Sequence, residues 1–221
     1  MGKNERAVKE MQEGNLEEAA KLLNEAIEEN PEDAIAYTNF GNLLAAVGEE
    51  EKAIIFFEKA MELDEQQATP YYGKGNVLYN QENYKGAIDS YQKAMSHGLH
   101  EGDVYYMTGM SFYYLSDFLR ALPSLSRAVE LNPEDVDARF HYALCLAQTD
   151  QINDAIPHFE KVNELDPGHA DSYFNLGVAY AYNEDMSGAL AMFNKALEIQ
   201  PNHALAANGK QRMEEFLHKG Q

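Results

Sequence analysis

Residues 170–203 read ADSYFNLGVAYAYNEDMSGALAMFNKALEIQPNH, and almost every feature of that stretch recurs upstream at a fixed distance. Ala189 has counterparts at Ala19, Ala53, Ala87, Ala121 and Ala155, each 34 residues from the next. Four positions after each alanine comes a bulky apolar residue, Leu23, Phe57, Tyr91, Leu125, Phe159 and Phe193, and three further on stand Ala26, Ala60, Ala94, Ala128, Val162 and Ala196. Spacing of i, i+4, i+7 is one face of a helix, with small residues where a neighbouring helix must approach closely. About a dozen residues upstream the same period returns as Gly41, Gly75, Gly109, Ala143 and Gly177, preceded four residues earlier by Tyr37, Tyr71, Tyr105, Arg139 and Tyr173. That is a second amphipathic helix, so each period is a helix–turn–helix hairpin.

The punctuation fits. Pro31, Pro133, Pro167 and Pro201 share one phase, where proline ends the preceding helix. Asn15, Asn83, Asp117 and Asp185 share another, just before the second helix, where such residues cap. The period predicts five full units at 34–67, 68–101, 102–135, 136–169 and 170–203. Residues 1–33 supply an earlier unit with a shortened first helix, and 204–221 a closing helix that covers the last hydrophobic face. Pro123 and Pro157 lie inside two second helices, which they are expected to bend slightly.

Composition narrows the function. The 221 residues hold 17 Lys and Arg against 37 Asp and Glu, a net charge of −20. Such a field repels phosphate backbones, so nucleic acid is a disfavoured partner. The single Cys145 excludes an internal disulfide framework and fits a reducing compartment. No secretory signal or membrane span is legible, and a cytoplasmic protein is expected. His97 and His100 are the only close histidine pair, and no nucleophile elbow, phosphate-cradling loop or ligand spacing occurs. Neither catalysis, nor a metal, nor a cofactor is expected.

These residues together resemble the tetratricopeptide repeat (TPR) family, with Tyr37, Tyr71, Tyr105 and Tyr173 in place of its tryptophan. Departures are Glu65 and Leu99 for the terminal proline, Arg139 for the first aromatic, and Lys74 and Thr108 for a leucine. The resemblance implies an all-α, right-handed superhelical solenoid whose concave wall is made of the first helices. It also implies a non-catalytic adaptor that binds protein segments. Small stand-alone bacterial members further imply a role in assembling RNA-sulfuration, RNA-processing and aminoacyl-tRNA synthetase components.

On each first helix the stripe Tyr71, Gly75, Leu78 and its equivalents packs on its own partner helix. The stripe one residue later, turned by roughly 100°, is expected to face the groove. It reads Thr38, Asn42, Ala45, Ala46; then Tyr72, Asn76, Tyr79, Asn80; then Tyr106, Met110, Tyr113, Tyr114; then Phe140, Leu144, Ala147, Gln148; and finally Phe174, Val178, Ala181, Tyr182. The candidate peptide-binding residues are therefore Thr38, Asn42, Tyr72, Asn76, Tyr79, Asn80, Tyr106, Met110, Tyr113, Phe140, Leu144, Phe174 and Val178. Asn42 and Asn76 carry amides that pair with a peptide unit's C=O and N–H together, and the rings and Met110 take apolar side chains. Asp103, Asp137 and Asp171 on the rim favour a basic or neutral protein partner.

TPR members that capture the C-terminal carboxylate of chaperones use Lys and Arg at the phases held here by Thr38, Tyr72, Tyr106, Phe140 and Phe174, or four residues later. No cation stands there. Two other readings stay open. One is homo-oligomerisation, with the groove filled by the terminal helix of another copy. The other is single-stranded RNA stacked on the rings, which the charge opposes.

Overall fold

Among the described residues, 2–219, the computed structural model holds thirteen α-helices and no strand. They fall into two compact units that divide between Leu115 and Ser116. The first unit contains α1 (Lys3–Gln12), α2 (Leu16–Glu29), α3 (Ala34–Ala46), α4 (Glu50–Leu63), α5 (Ala68–Asn80), α6 (Tyr84–Ser96) and α7 (Gly102–Tyr114). The second contains α8 (Phe118–Leu131), α9 (Val136–Gln148), α10 (Ile152–Leu165), α11 (Ala170–Tyr182), α12 (Met186–Ile199) and α13 (Ala204–Lys219). No helix among the described residues is long and apolar enough to cross a membrane.

The alanine and glycine phases explain the packing. Ala19, Ala53, Ala87, Ala121, Ala155 and Ala189 are all fully buried, as is the ring or leucine four positions on in most units. A first-helix glycine lets that ring lie against bare backbone. A Cβ on Gly41 would come within 2.6 Å of the Phe57 ring, on Gly75 within 2.5 Å of the Tyr91 ring, and on Gly177 within 2.7 Å of the Phe193 ring. Phe57 has a second glycine on its other side, since a Cβ on Gly73 would sit 2.5 Å away.

Three of the four expected second-helix caps form: Asn83, Asp117 and Asp185 accept from the backbone N–H of Gly86, Arg120 and Gly188. Asn15 does not, because its side-chain amide donates to Glu10 at 2.8 Å instead. First helices are capped by another phase. Asp33 and Asp135 accept from Ala36 and Ala138, while His169 and His203 do the same through Nδ1, from Ser172 and Ala206 at 3.1 Å. Arg139, the departure from the aromatic phase, keeps that residue's role. Tyr71 donates its hydroxyl to the Glu65 carbonyl, and Arg139 donates to the equivalent Pro133 carbonyl six residues upstream. α8 and α10 run through Pro123 and Pro157, both of which face solvent.

Every loop from a first to a second helix turns through one left-handed residue: Gly14, Gly48, Glu82, Ser116, Asp150 and Glu184. Glycine adopts that conformation without a Cβ penalty; glutamate does not. Glu82→Gly and Glu184→Gly should each raise stability by up to about 1 kcal/mol, less the chain entropy that glycine gains when unfolded. Urea midpoints check this, and a lowered midpoint for both would refute it.

Asn163 on α10 carries the opposite liability. Both polar atoms of its amide are buried without a hydrogen-bond partner, at a phase occupied elsewhere by Met61, Met95 and Val129. Asn163→Met removes an unpaired amide, and a gain of about 1 kcal/mol is expected from thermal or urea melts.

Candidate functional site

Within the first unit α3 adjoins α5 and α5 adjoins α7; within the second, α9 adjoins α11 and α11 adjoins α13. Each unit thus sets its first helices side by side. Along each helix the predicted stripe runs from covered to open, and the reason is the next helix. In three units the residue 29 positions after the head of a stripe, at the N-cap position of the following first helix, lies on that head. Gln67 Oε1 is 3.2 Å from the Thr38 hydroxyl. The His169 ring is 4.4 Å from that of Phe140, and the His203 ring 5.1 Å from that of Phe174.

Thr38 is therefore no groove residue: it is 3% exposed, with its hydroxyl 2.8 Å from the Ala34 carbonyl. Met110 is equally buried at 3%, its flexible thioether packed into the unit rather than offered to solvent. Tyr72, Asn76, Tyr79, Tyr106, Tyr113, Phe140, Leu144 and Phe174 are half-buried. Asn42, Asn80 and Val178 are exposed, and the last stripe position in every unit, Ala46, Asn80, Tyr114, Gln148 and Tyr182, is open.

The two asparagines expected to act alike do not. Tyr91 is fully buried and donates its hydroxyl to Asn76 Oδ1 at 2.9 Å, while the Asn76 side chain also hydrogen-bonds Tyr72. Burial pushes the Tyr91 hydroxyl's pKa far up, so it remains a donor. The residue that corresponds to Tyr91 beneath Asn42 is Phe57, which has no hydroxyl. Asn42 keeps its amide uncommitted and exposed.

A tyrosine cluster closes the open end of this face in the first unit. Tyr84 stacks on Tyr114 with centroids 5.0 Å apart and planes at 11°, and Tyr79 meets both rings edge-on at 5.5 and 5.9 Å. Burial raises the Tyr79 pKa, with a hydrogen bond to Tyr114 adding to it. Tyr114 remains 52% exposed. Tyr84, at the start of α6, was not legible from the first-helix stripe, although an aromatic residue opening a second helix is its signal.

The remaining chemistry-bearing residues serve packing. Cys145 is buried, and desolvation lifts its thiol to about 12, which leaves it protonated and a poor nucleophile. His97 stacks on Tyr71 at 5.0 Å, and His100 lies 2.8 Å from the Tyr105 hydroxyl. Among the described residues no group of three or more His, Cys, Asp or Glu is placed to hold a metal.

Side-by-side helical hairpins of one period, three of them with a ring seated on a first-helix glycine, define an α-helical repeat protein. Tetratricopeptide repeat profiles match residues 10–73, 68–96, 106–162 and 170–203. The crystal structure of YrrB, described as a TPR protein with an unusual peptide-binding site, superposes with a TM-score of 0.84 at 49% identity, over 87% of this chain and 99% of that one. The chain belongs to the tetratricopeptide repeat family. TPR repeat-containing protein YrrB from Bacillus subtilis (strain 168) is also 61% identical over 41 residues, a stretch that spans 19% of this chain and only 20% of that relative. PilF from Pseudomonas aeruginosa shares the fold at 19% identity, with a TM-score of 0.77 over 96% of this chain and 95% of its own.

Proposed function

We propose that this chain is a non-catalytic, cytoplasmic adaptor that holds a peptide segment of a protein partner on the open face that the first helices present within a compact unit. The observation that carries this is the uncovered half of the stripe in each unit. Asn42, Asn80 and Tyr114 stand exposed in the first unit, and Gln148, Val178 and Tyr182 in the second. Amides that are free to pair with a backbone alternate there with apolar surface, which is how a groove grips an extended chain in register. A ligand's apolar side chains settle beside the half-buried rings of Tyr72, Tyr79, Tyr106 and Tyr113 in the first unit, and in the second unit by themselves Phe140, Leu144 and Phe174 offer a like surface. The likeness to YrrB, a protein with a peptide-binding site, supports the same reading. With a net charge of −20, a basic or neutral segment is attracted and an acidic one repelled.

Asn76 is a poor residue with which to test this, because its loss also unpairs Tyr91. Asn42 and Tyr114 are better. A displayed random-peptide library enriched on the parent chain supplies the probe. Affinity of the enriched peptide should fall at least tenfold, about 1.4 kcal/mol, in Asn42→Ala/Tyr114→Ala, while circular dichroism shows the helices still folded at the assay temperature. Unaltered affinity would refute the face.

A further inference from the structure

The tyrosine cluster of the first unit holds more aromatic surface than the first helices alone supply, because Tyr84 comes from the second helix of its hairpin. Tyr79 stands near the end of α5, Tyr84 opens α6 and Tyr114 closes α7. Their ring centroids form a near-equilateral triangle with sides of 5.0, 5.5 and 5.9 Å. Tyr84 and Tyr114 lie flat on each other, with planes at 11°, so Tyr79 stands beside that pair rather than on its end. Tyr114 is 52% exposed and Tyr84 half-buried, which leaves aromatic surface of the pair in water.

The first unit already places one cation on a ring elsewhere, since Lys93 lies 5.9 Å from the Tyr71 centroid. Among the described residues no Lys or Arg lies over Tyr79, Tyr84 or Tyr114. Lys85 follows Tyr84 but projects about 100° away around the helix. The charge beside the cluster is negative. Burial raises the Tyr84 pKa and the Glu82 carboxylate raises it further, which puts that carboxylate near the ring. Glu82 is exposed, and among the described residues it joins no ion pair. It also occupies a left-handed turn position, at φ 59°, that glycine would take at lower cost. A residue kept against stability beside exposed rings points to a binding role.

Aromatic faces attract cations, and the shape of the cluster selects among them. A round ammonium, methylated or not, is held in a hollow between separate rings. Here the three rings touch, and no hollow lies among them. A flat guanidinium needs none: it lies on the outer surface of a stacked pair and turns its N–H groups outward to a carboxylate.

We propose that the Tyr84–Tyr114 pair receives the side chain of an arginine on a protein partner, its guanidinium stacked on the ring surface and paired at its edge with Glu82. The net charge of −20 favours the approach of such a partner. The inference rests on the peptide-binding reading and names the side chain that the tyrosine end of the open face selects.

Three acetylated and amidated heptapeptides test it, identical glycine–serine chains with arginine, lysine or citrulline at the centre. Citrulline keeps the shape of arginine without its charge. The titrations are run at about 150 mM salt, where long-range attraction to the acidic chain is screened, and are followed by the NMR ring signals of Tyr84 and Tyr114. The arginine peptide should bind about fivefold more tightly than either of the others. Tyr84→Leu, which keeps the start of α6 apolar but removes the ring, should bring the three peptides level at Tyr114. Glu82→Gln, on an exposed turn, should cut the preference for arginine over citrulline about twofold. No shift of either ring, equal binding of the three peptides to the parent, or a preference that survives both substitutions would each overturn the proposal. Asn42→Ala separates the two readings, because Asn42 lies on α3, outside the cluster. A library peptide weakened by Asn42→Ala, beside an arginine peptide that shifts neither ring, keeps the open face and removes the arginine site. An arginine preference lost in Tyr84→Leu, beside library binding indifferent to Asn42→Ala, keeps the arginine site by itself.

Discussion

Phe57→Ala should unfold the first unit more readily than any other single change considered, lowering stability by about 3–5 kcal/mol. The ring is fully buried, and its two faces lie against backbone at Gly41 and Gly73. The two glycine backbones cannot move into the space the ring leaves, although Leu44, Ile54 and Met61 pack against the same cluster, so a large part of the cavity term remains. The reciprocal change checks the geometry. Gly41→Ala puts a Cβ 2.6 Å from the same ring, and the ring cannot retreat because Gly73 is behind it. A loss of about 1–3 kcal/mol is expected from this overpacking. Chemical denaturation followed by circular dichroism reads both, and a cost below 1 kcal/mol for Phe57→Ala would show that the glycine sandwich is not what holds the hairpins together.

Asn76→Ala should cost about 1–3 kcal/mol, because it strips the fully buried Tyr91 hydroxyl of its acceptor. The prediction is a double-mutant cycle. In a Tyr91→Phe background the hydroxyl is gone, and Asn76→Ala should then be close to neutral. Tyr91→Phe alone frees Asn76 Oδ1 from that hydroxyl and leaves the side chain only its hydrogen bond with Tyr72. Costs that simply add in the double variant would mean that the 2.9 Å contact contributes little.

The architecture was legible from spacing because the periodic residues are those each hairpin needs for itself. A ring four residues after an alanine and a glycine sixteen residues before that ring describe one self-contained contact, as Gly75 and Tyr91 do. The candidate face was legible only in part. Rotating by one residue on a helix says what points away from the partner helix, but not what arrives from the next hairpin. Thr38 and Phe140 are covered by Gln67 and His169, which no single-helix argument contains. Asn42 and Asn76 share a phase, yet one hydroxyl fifteen residues downstream separates an idle amide from a committed one. The loop residues Glu82 and Glu184 escaped for a different reason. Their left-handed backbone is imposed by the hairpin and goes against what their side chains prefer.

The covering of three stripe heads by a residue 29 positions later has a bearing on how such a chain can be lengthened or shortened. Residues 34–67 carry both Thr38 and the Gln67 that shields it, residues 136–169 both Phe140 and His169, and residues 170–203 both Phe174 and His203. A cut made at those joints transplants the lid together with what it protects. Shuffling whole blocks would therefore change the order of chemical groups met by a bound chain while leaving each block's own shelter in place.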